Sequence, residues 1–95
     1  MSGDVLTEIE AVLRRRLEDR PEGSYSLTLL TDSVQAQRKI MEEAFELCLE
    51  VGSPDFDADR IAAEAADLIF HLLAALVGVG VAWDDVIAQL RERRR

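Results

Sequence analysis

The feature that most constrains the fold of this sequence is an almost uninterrupted apolar stretch from Ile61 to Val77. Only Glu64, Asp67 and His71 interrupt it. At about 100° per residue, these three polar residues fall on one narrow stripe of a helix that is otherwise apolar on every side. Such a helix is expected to be buried all round. Its two carboxylates then need partners elsewhere in the protein, because burying an unpaired charge is very costly.

The rest of the sequence has the apolar spacing of helices and lacks the alternation of strands. The helices that we predict cover about residues 5–18, a short turn from Leu27 to Leu30, a long segment up to about Val51, the apolar stretch as far as Gly78 and Gly80, and a last segment with Asp84 and Asp85 in its first turn. Their predicted N-caps are Asp4, Ser26, Asp32 or Ser33, and Asp57. The predicted fold class is therefore all-α, a bundle of four main helices in one domain over residues 1–95.

The long helix that ends near Val51 has an apolar side and a charged side. Its predicted core stripe consists of Val34, Met41, Ala44, Phe45 and Cys48. Its opposite side carries Lys39, Glu43, Glu46 and Glu50, with Glu42 at the edge. We therefore expect the apolar stripe of this helix to lie in the core.

The charge and the cysteine content limit the partners and the compartment. The net charge of −8 argues against nucleic acid and anionic membranes, which attract a basic face, but not against a phosphorylated small molecule bound through a divalent cation. The one cysteine, Cys48, excludes an internal disulfide and suits a reducing compartment. Residues 1–10 lack the basic residues of a signal peptide, and the carboxylates of the apolar stretch would be costly in a membrane. We expect a cytoplasmic protein.

The size of the chain predicts self-association. Three companion helices, one of them short, cannot easily surround a central helix that is apolar on every side. A second copy is the simplest source of the missing cover. We therefore predict that a homodimer completes the bundle, since obligate interfaces resemble a domain core cut in half.

Two helices each carry a pair of carboxylates spaced three residues apart, Glu43 with Glu46 and Glu64 with Asp67. Residues at this spacing are neighbours on a helix surface, and a short connection makes the two helices antiparallel neighbours. If their acidic stripes face each other, four carboxylates converge, and they cannot all stay ionised without a cation between them. Oxygen ligands of this kind select Mg²⁺ or Mn²⁺ over zinc.

Each of these residues also has a simpler interpretation. Taken alone, the acidic residues of the long helix fit a solvated face. Lys39 either pairs with Glu43 one turn away or reaches a substrate phosphate, and His71 is either a structural hydrogen-bonding group or part of the site.

A carboxylate-bridged di-iron bundle needs a Glu-x-x-His motif on each of two helices. The chain has a single histidine, so that alternative fails.

Two segments resemble the EExxE…ExxD signature of the all-α nucleotide pyrophosphohydrolases, the MazG-like superfamily: KIMEEAFE at residues 39–46 and EAADLIFH at residues 64–71. Within this superfamily the chain is most similar to the phosphoribosyl-ATP pyrophosphohydrolase family. The similarity extends over almost the whole chain. It includes the loop RPEGSYS at residues 20–26 and the segment GVAWDDV at residues 80–86.

The resemblance implies a MazG-like bundle and a Mg²⁺-dependent hydrolysis of phosphoribosyl-ATP to phosphoribosyl-AMP and pyrophosphate, the second step of histidine biosynthesis. The metal ligands that it implies are Glu43, Glu46, Glu64 and Asp67. Glu42 would orient or activate water or help to hold a further ion. Lys39 and Arg20 would contact the phosphates, and Ser24 and Tyr25 the substrate at the edge of the loop. We count His71 with Glu42 and Lys39 as candidate catalytic residues because it continues the polar stripe.

The sequence departs from the family pattern at two positions. Met41 stands where the family usually has Gly before the acidic pair. Ala82 stands where the family tends to have a capping Ser, and the loss of that cap costs the last helix up to about 1 kcal/mol.

Two alternative functions stay open. One is the same chemistry on normal or damaged nucleoside triphosphates, and the other is a non-catalytic helical dimerisation module.

Overall fold

A computed structural model describes the backbone of residues 4–94 and the side chains of residues 5–94. Within that range the chain forms five α-helices and no strand. The helices are α1 (Asp4–Asp19), α2 (Tyr25–Thr31), α3 (Ser33–Val51), α4 (Ala58–Gly78) and α5 (Trp83–Arg93). The all-α prediction is confirmed. The predicted capping side chain of Asp4 lies outside the described residues.

Short polar side chains start three of the helices. Asp32 accepts hydrogen bonds from two backbone N–H groups of α3, and Asp57 does the same for α4, as predicted. The prediction of Ser26 as the cap of α2 is wrong. Ser24 caps this helix, because its hydroxyl oxygen accepts a hydrogen bond from the N–H of Leu27 at 3.2 Å. The helix therefore starts two residues earlier than expected, directly after the turn at Gly23.

The hydrophobic core lies between α1, α2 and the C-terminal half of α4. Its buried members are Leu13, Leu29, Leu30, Leu73, Ala74 and Val77. Gly78 permits the close crossing of α2 and α4, since a Cβ atom at this position would lie 2.7 Å from the carbonyl oxygen of Leu30. This core holds the C-terminal half of α4 in place. The N-terminal half of α4 packs against α3 instead.

α3 packs antiparallel against α4, with its charged side inward. Glu50 near the end of α3 pairs with Arg60 near the start of α4, at 3.1 Å between Oε2 and Nη2. Glu43 is buried at 7% exposure, whereas Met41 and Phe45 are 64% and 63% exposed. Of the predicted core stripe, Val34 and Cys48 are exposed as well, and only Ala44 is half-buried. The predicted stripe is therefore wrong for the single chain.

This prediction was wrong because periodicity identifies an apolar stripe but does not show which surface packs against it. α3 directs Glu43 toward the polar stripe of α4, which carries Glu64 and Asp67, and it directs Glu50 toward Arg60. The apolar stripe then points away from the chain. Met41, which replaces the usual Gly of the family, lies on this outer side, so it does not affect the approach of α3 to α4.

The N-terminal half of α4 is less covered than the sequence predicts. The exposed residues on its outer side are Ala62, Ala63, Ala66 and Ile69. Burial on every side is therefore wrong for the single chain, because α1 and α2 reach only the C-terminal half. By length and composition alone α4 would be able to cross a membrane, a property that it shares with the core helices of soluble proteins.

Glu10 supplies the cap that α5 lacks in its own sequence. Ala82 makes no side-chain cap, as expected. The Oε2 atom of Glu10 on α1 accepts a hydrogen bond from the N–H of Trp83 at 2.7 Å, and it also lies 3.2 Å from Arg14. A carboxylate at a helix N-terminus also has a favourable interaction with the helix dipole. Glu10 therefore attaches α5 to the rest of the chain.

We expect Glu10→Ala to lower the free energy of unfolding by about 1–2 kcal/mol, because the N–H of Trp83 loses its acceptor. Glu10→Gln keeps an acceptor oxygen and should lose less than half of that. Urea denaturation at one fixed protein concentration measures both changes. Equal stability of Glu10→Ala and the wild type would show that the cap contributes nothing.

Candidate metal centre

Three carboxylates from two helices converge at the interface of α3 and α4. Each of Glu43, Glu64 and Asp67 offers one oxygen atom, and these oxygens lie within 4.8 Å of one another. The spacing of three residues puts Glu64 and Asp67 on one side of α4, and α3 presents Glu43 to them. The structure thus brings together three of the four carboxylates that were predicted to converge, and Glu46 is not in this group.

Two oxygen atoms of this cluster are buried without a hydrogen-bond partner among the described residues: Oε2 of Glu43 and Oε2 of Glu64. Buried polar atoms in proteins are nearly always satisfied, so each exception needs an explanation. Carboxylate oxygens accept hydrogen bonds or bind cations. A divalent cation held by these oxygens would satisfy both atoms, and the donor set is the one that Mg²⁺ and Mn²⁺ prefer. The residues present therefore fit such an ion.

The environment of Glu64 opposes its ionised form. Partial burial, followed by the neighbouring carboxylate of Glu46, raises the pKa of Glu64 above its usual value of 4.5. Because the folded state then holds this proton more tightly than the unfolded chain does, the metal-free protein loses stability as the pH rises from 4.5 through the higher folded pKa. A bound cation would favour the ionised form and remove this penalty.

Glu46 and Glu50 differ in their relation to the cluster. Glu46 is exposed and does not belong to the group of three converging oxygens, although its carboxylate is close enough to raise the pKa of Glu64. Glu50 pairs with Arg60 instead. In the described part of the chain, Glu46 is thus a neighbour of the cluster, and Glu50 lies outside it.

Lys39 and Glu42 lie at the rim of the cluster. The Nζ atom of Lys39 is 3.3 Å from Oε1 of Glu42 and 3.8 Å from Oε1 of Glu43. The hydrogen bond to Glu42 raises the pKa of Lys39 above 10.5, so its ammonium group is charged at neutral pH. The sequence left open whether Lys39 pairs with Glu43 or faces a phosphate. It pairs more closely with Glu42, and its charge is held beside the carboxylates.

The loop between α1 and α2 borders a cleft of about 550 Å³. Arg20, Ser24 and Tyr25 all line it, so three of the four predicted substrate-binding residues share one surface, and Lys39 lies outside it. The backbone of Arg20 has a φ of 50°, a left-handed conformation that is uncommon outside glycine. Ser24 has a structural role as well, because its oxygen accepts the capping hydrogen bond of α2.

His71 joins this loop to the acidic stripe of α4. Its Nε2 atom is 2.9 Å from the hydroxyl oxygen of Tyr25, and its Nδ1 atom is 2.7 Å from the carbonyl oxygen of Asp67. The ring is buried at 8% exposure. Sequence analysis singled out both residues but missed their contact, because they are 46 positions apart and no periodic pattern reports such a pair.

Comparisons with known proteins identify the family of this chain. The model of a family described as phosphoribosyl-ATP pyrophosphohydrolase matches residues 6–94. A protein of Ignicoccus hospitalis named phosphoribosyl-ATP pyrophosphatase is 39% identical over 93 residues, which are 97% of this chain and 89% of that relative. A protein of the same name from Pyrobaculum arsenaticum is 40% identical over 100% of both chains. No solved structure matches at a significant level.

A match over residues 6–94 includes both halves of the acidic cluster, the loop with Tyr25, and His71. The relatives are named as pyrophosphatases, which are hydrolases, so the chain is an enzyme of that class. On this similarity the chain belongs to the phosphoribosyl-ATP pyrophosphohydrolase family.

Proposed function

We propose that this protein hydrolyses phosphoribosyl-ATP to phosphoribosyl-AMP and pyrophosphate, the second step of histidine biosynthesis, with Mg²⁺ as its cofactor and residues 1–95 acting as one domain. The observation that carries the proposal is the cluster of Glu43, Glu64 and Asp67, with two buried oxygens that lack partners in the described chain. Phosphoryl transfer needs positioning and charge neutralisation more than covalent catalysis. A carboxylate cluster that holds a divalent cation meets this need.

The proposed metal ligands are Glu43, Glu64 and Asp67, with Glu46 completing the set when substrate is bound. Mg²⁺, or Mn²⁺ in its place, would neutralise phosphate oxygens and lower the pKa of a bound water. A chain with a net charge of −8 repels a polyphosphate, so cations are required for binding as well as for catalysis. This charge is the reason to expect strict metal dependence.

The other residues act on the substrate and on water. Glu42 lies at the rim, beside Lys39, where it can orient or activate the attacking water or help to hold a further ion. Lys39 and Arg20 bind phosphate oxygens in this proposal, and the cleft lined by Ser24 and Tyr25 binds the nucleotide. His71 links the loop to the metal ligands. Tyr25 thus lies between the cleft and the acidic stripe of α4, to which His71 connects it.

We further propose that the protein acts as a homodimer in the cytoplasm, with neither nucleic acid nor membrane as a partner. α3 exposes an apolar stripe that includes Met41 and Phe45, and the N-terminal half of α4 exposes Ala66 and Ile69. The radius of gyration is 14.6 Å, against about 12 Å for a compact domain of this length. The single chain is thus more open than a self-sufficient domain, and a second copy would cover its exposed apolar surface.

The test is release of pyrophosphate from phosphoribosyl-ATP and from a panel of nucleoside triphosphates, with Mg²⁺, with Mn²⁺ and with chelator. We expect release from phosphoribosyl-ATP alone, lost with chelator and restored by excess Mg²⁺. Release from a common nucleotide instead would keep the chemistry and assign it to the removal of normal or damaged nucleoside triphosphates. If the folded protein released pyrophosphate from none of these substrates, the remaining alternative would be a non-catalytic helical dimerisation module.

A further inference from the structure

In the neutral form of its imidazole, His71 has only one consistent direction for its two hydrogen bonds. The carbonyl oxygen of Asp67, 2.7 Å from Nδ1, can only accept, so Nδ1 carries the proton. In a neutral imidazole the other nitrogen then has no proton and can only accept. The group next to it, 2.9 Å away, is the hydroxyl of Tyr25. Beside the neutral ring, the hydroxyl of Tyr25 therefore donates a hydrogen bond to Nε2 of His71.

This direction determines what Tyr25 can offer to a ligand. Its hydroxyl proton is already used, and the hydroxyl oxygen keeps free lone pairs on a side chain that is 50% exposed and lines the cleft of the loop. A phosphate oxygen is an acceptor and would need a donor at this position. A ribose hydroxyl or a base N–H is a donor and fits a free lone pair.

We infer that Tyr25 binds the nucleoside part of the substrate as a hydrogen-bond acceptor, and that His71 is the positioning residue that fixes this direction. The inference rests on the proposed function for the identity of the substrate and adds to it a specificity-determining contact. The phosphates that the metal binds lie on the other side of Tyr25, toward Lys39 and the carboxylates. His71 then contacts neither the substrate nor the attacking water.

The direction of the bond can be tested without any turnover. His71 is the only histidine of the chain, so ¹⁵N-labelling of histidine gives one imidazole spectrum without assignment. At pH 8 we expect a protonated Nδ1 and an unprotonated Nε2, and a shift of the Nε2 signal in Tyr25→Phe, which removes the donor. A protonated Nε2 in the wild type, or an Nε2 signal unchanged in Tyr25→Phe, would overturn the inference.

The contact with the nucleoside is tested with ligands that separate the two parts of the substrate. In Tyr25→Phe we expect the KM for phosphoribosyl-ATP to rise about tenfold, the contribution of one hydrogen bond, with kcat changed less than about threefold. Calorimetric binding of pyrophosphate in saturating Mg²⁺ should stay within about twofold of the wild type. Equal weakening of pyrophosphate binding would overturn the inference, because it would mean that Tyr25 contacts phosphate.

AMP, 2′-deoxy-AMP and inosine monophosphate are compared as competitive inhibitors to identify the donor. 2′-Deoxy-AMP lacks the 2′-hydroxyl of the ribose, and inosine monophosphate lacks the amino group of the base. The preference for AMP over one of these analogues should disappear in Tyr25→Phe. An unchanged preference over both would count against a nucleoside contact. Failure of the proposed function would appear differently, as absence of pyrophosphate release by the wild type, with the imidazole spectrum unaffected.

His71 variants separate positioning from catalysis. His71→Gln keeps an acceptor for Tyr25, so its KM should lie closer to the wild-type value than that of His71→Leu, which has none. Both should retain kcat within about threefold if the histidine only positions Tyr25. A hundredfold loss of kcat in both variants with an unchanged KM would show that His71 takes part in the chemistry instead.

Discussion

Glu43→Gln should reduce metal-dependent pyrophosphate release on the order of a thousandfold, and the variant should stay folded. Glu43 is the most buried carboxylate of the cluster, and one of its oxygens has no partner among the residues that the structure describes. Gln has the same shape without the charge, so it is a poor ligand for Mg²⁺. Loss of the metal removes several kcal/mol of transition-state stabilisation, and each 1.4 kcal/mol is about tenfold in rate.

The same variant should be at least as stable as the wild type when metal is absent, because it removes one of three like charges that lie close together. Wild-type protein should gain stability from saturating Mg²⁺, by about 2.7 kcal/mol at a hundredfold excess over the dissociation constant. Glu43→Gln should gain almost nothing. Thermal melting with Mg²⁺ and with chelator measures both effects and needs no substrate.

Glu50→Gln is the matched control. Glu50 lies on the same helix and the same side, but it pairs with Arg60, outside the cluster. We expect its activity within about twofold of the wild type and an unchanged response to Mg²⁺. Normal activity and a normal Mg²⁺ response in Glu43→Gln would refute the metal centre. An equal loss in both variants would show that the charge of the α3 face matters rather than the individual ligand.

The cluster was predictable because its determinants are local in sequence. The spacing of Glu64 and Asp67 places both on one side of a helix, and an otherwise apolar helix makes their polarity informative. The short connection between α3 and α4 brings Glu43 opposite them. Helix geometry and the cost of buried charge were therefore sufficient to predict that carboxylates of the two helices meet, although Glu46, which was predicted with them, lies outside the group of three.

The contacts that sequence analysis missed join residues far apart in the chain. Glu10 caps α5 through Trp83, 73 positions away, and Tyr25 meets His71 across 46 positions. Neither pair follows from a period of 3.6 residues, because each depends on how whole helices are placed. The side of α3 that faces α4 was predicted wrongly for a related reason, since an apolar stripe does not reveal whether its cover comes from the same chain.

Phe45→Glu should convert the protein from dimer to monomer, because the exposed stripe of α3 is the apolar surface that we propose a second copy covers. Phe45 is 63% exposed in the single chain and Met41 beside it 64%. An unpaired charge buried at such an interface costs several kcal/mol, so the dissociation constant should rise at least about a hundredfold. Sedimentation equilibrium distinguishes the 10.6 kDa chain from its dimer.

Val79→Glu is the control for this variant, because Val79 is also an exposed apolar residue but lies beyond the end of α4, beside the first turns of α3 rather than beside Met41 and Phe45. It should remain a dimer. A dimeric Phe45→Glu would place the interface on another surface, and a monomeric wild type at micromolar concentration would refute the dimer. The three converging carboxylates belong to one chain, so a folded monomer should still bind Mg²⁺. Any loss of its activity would then arise from a less stable bundle rather than from missing ligands.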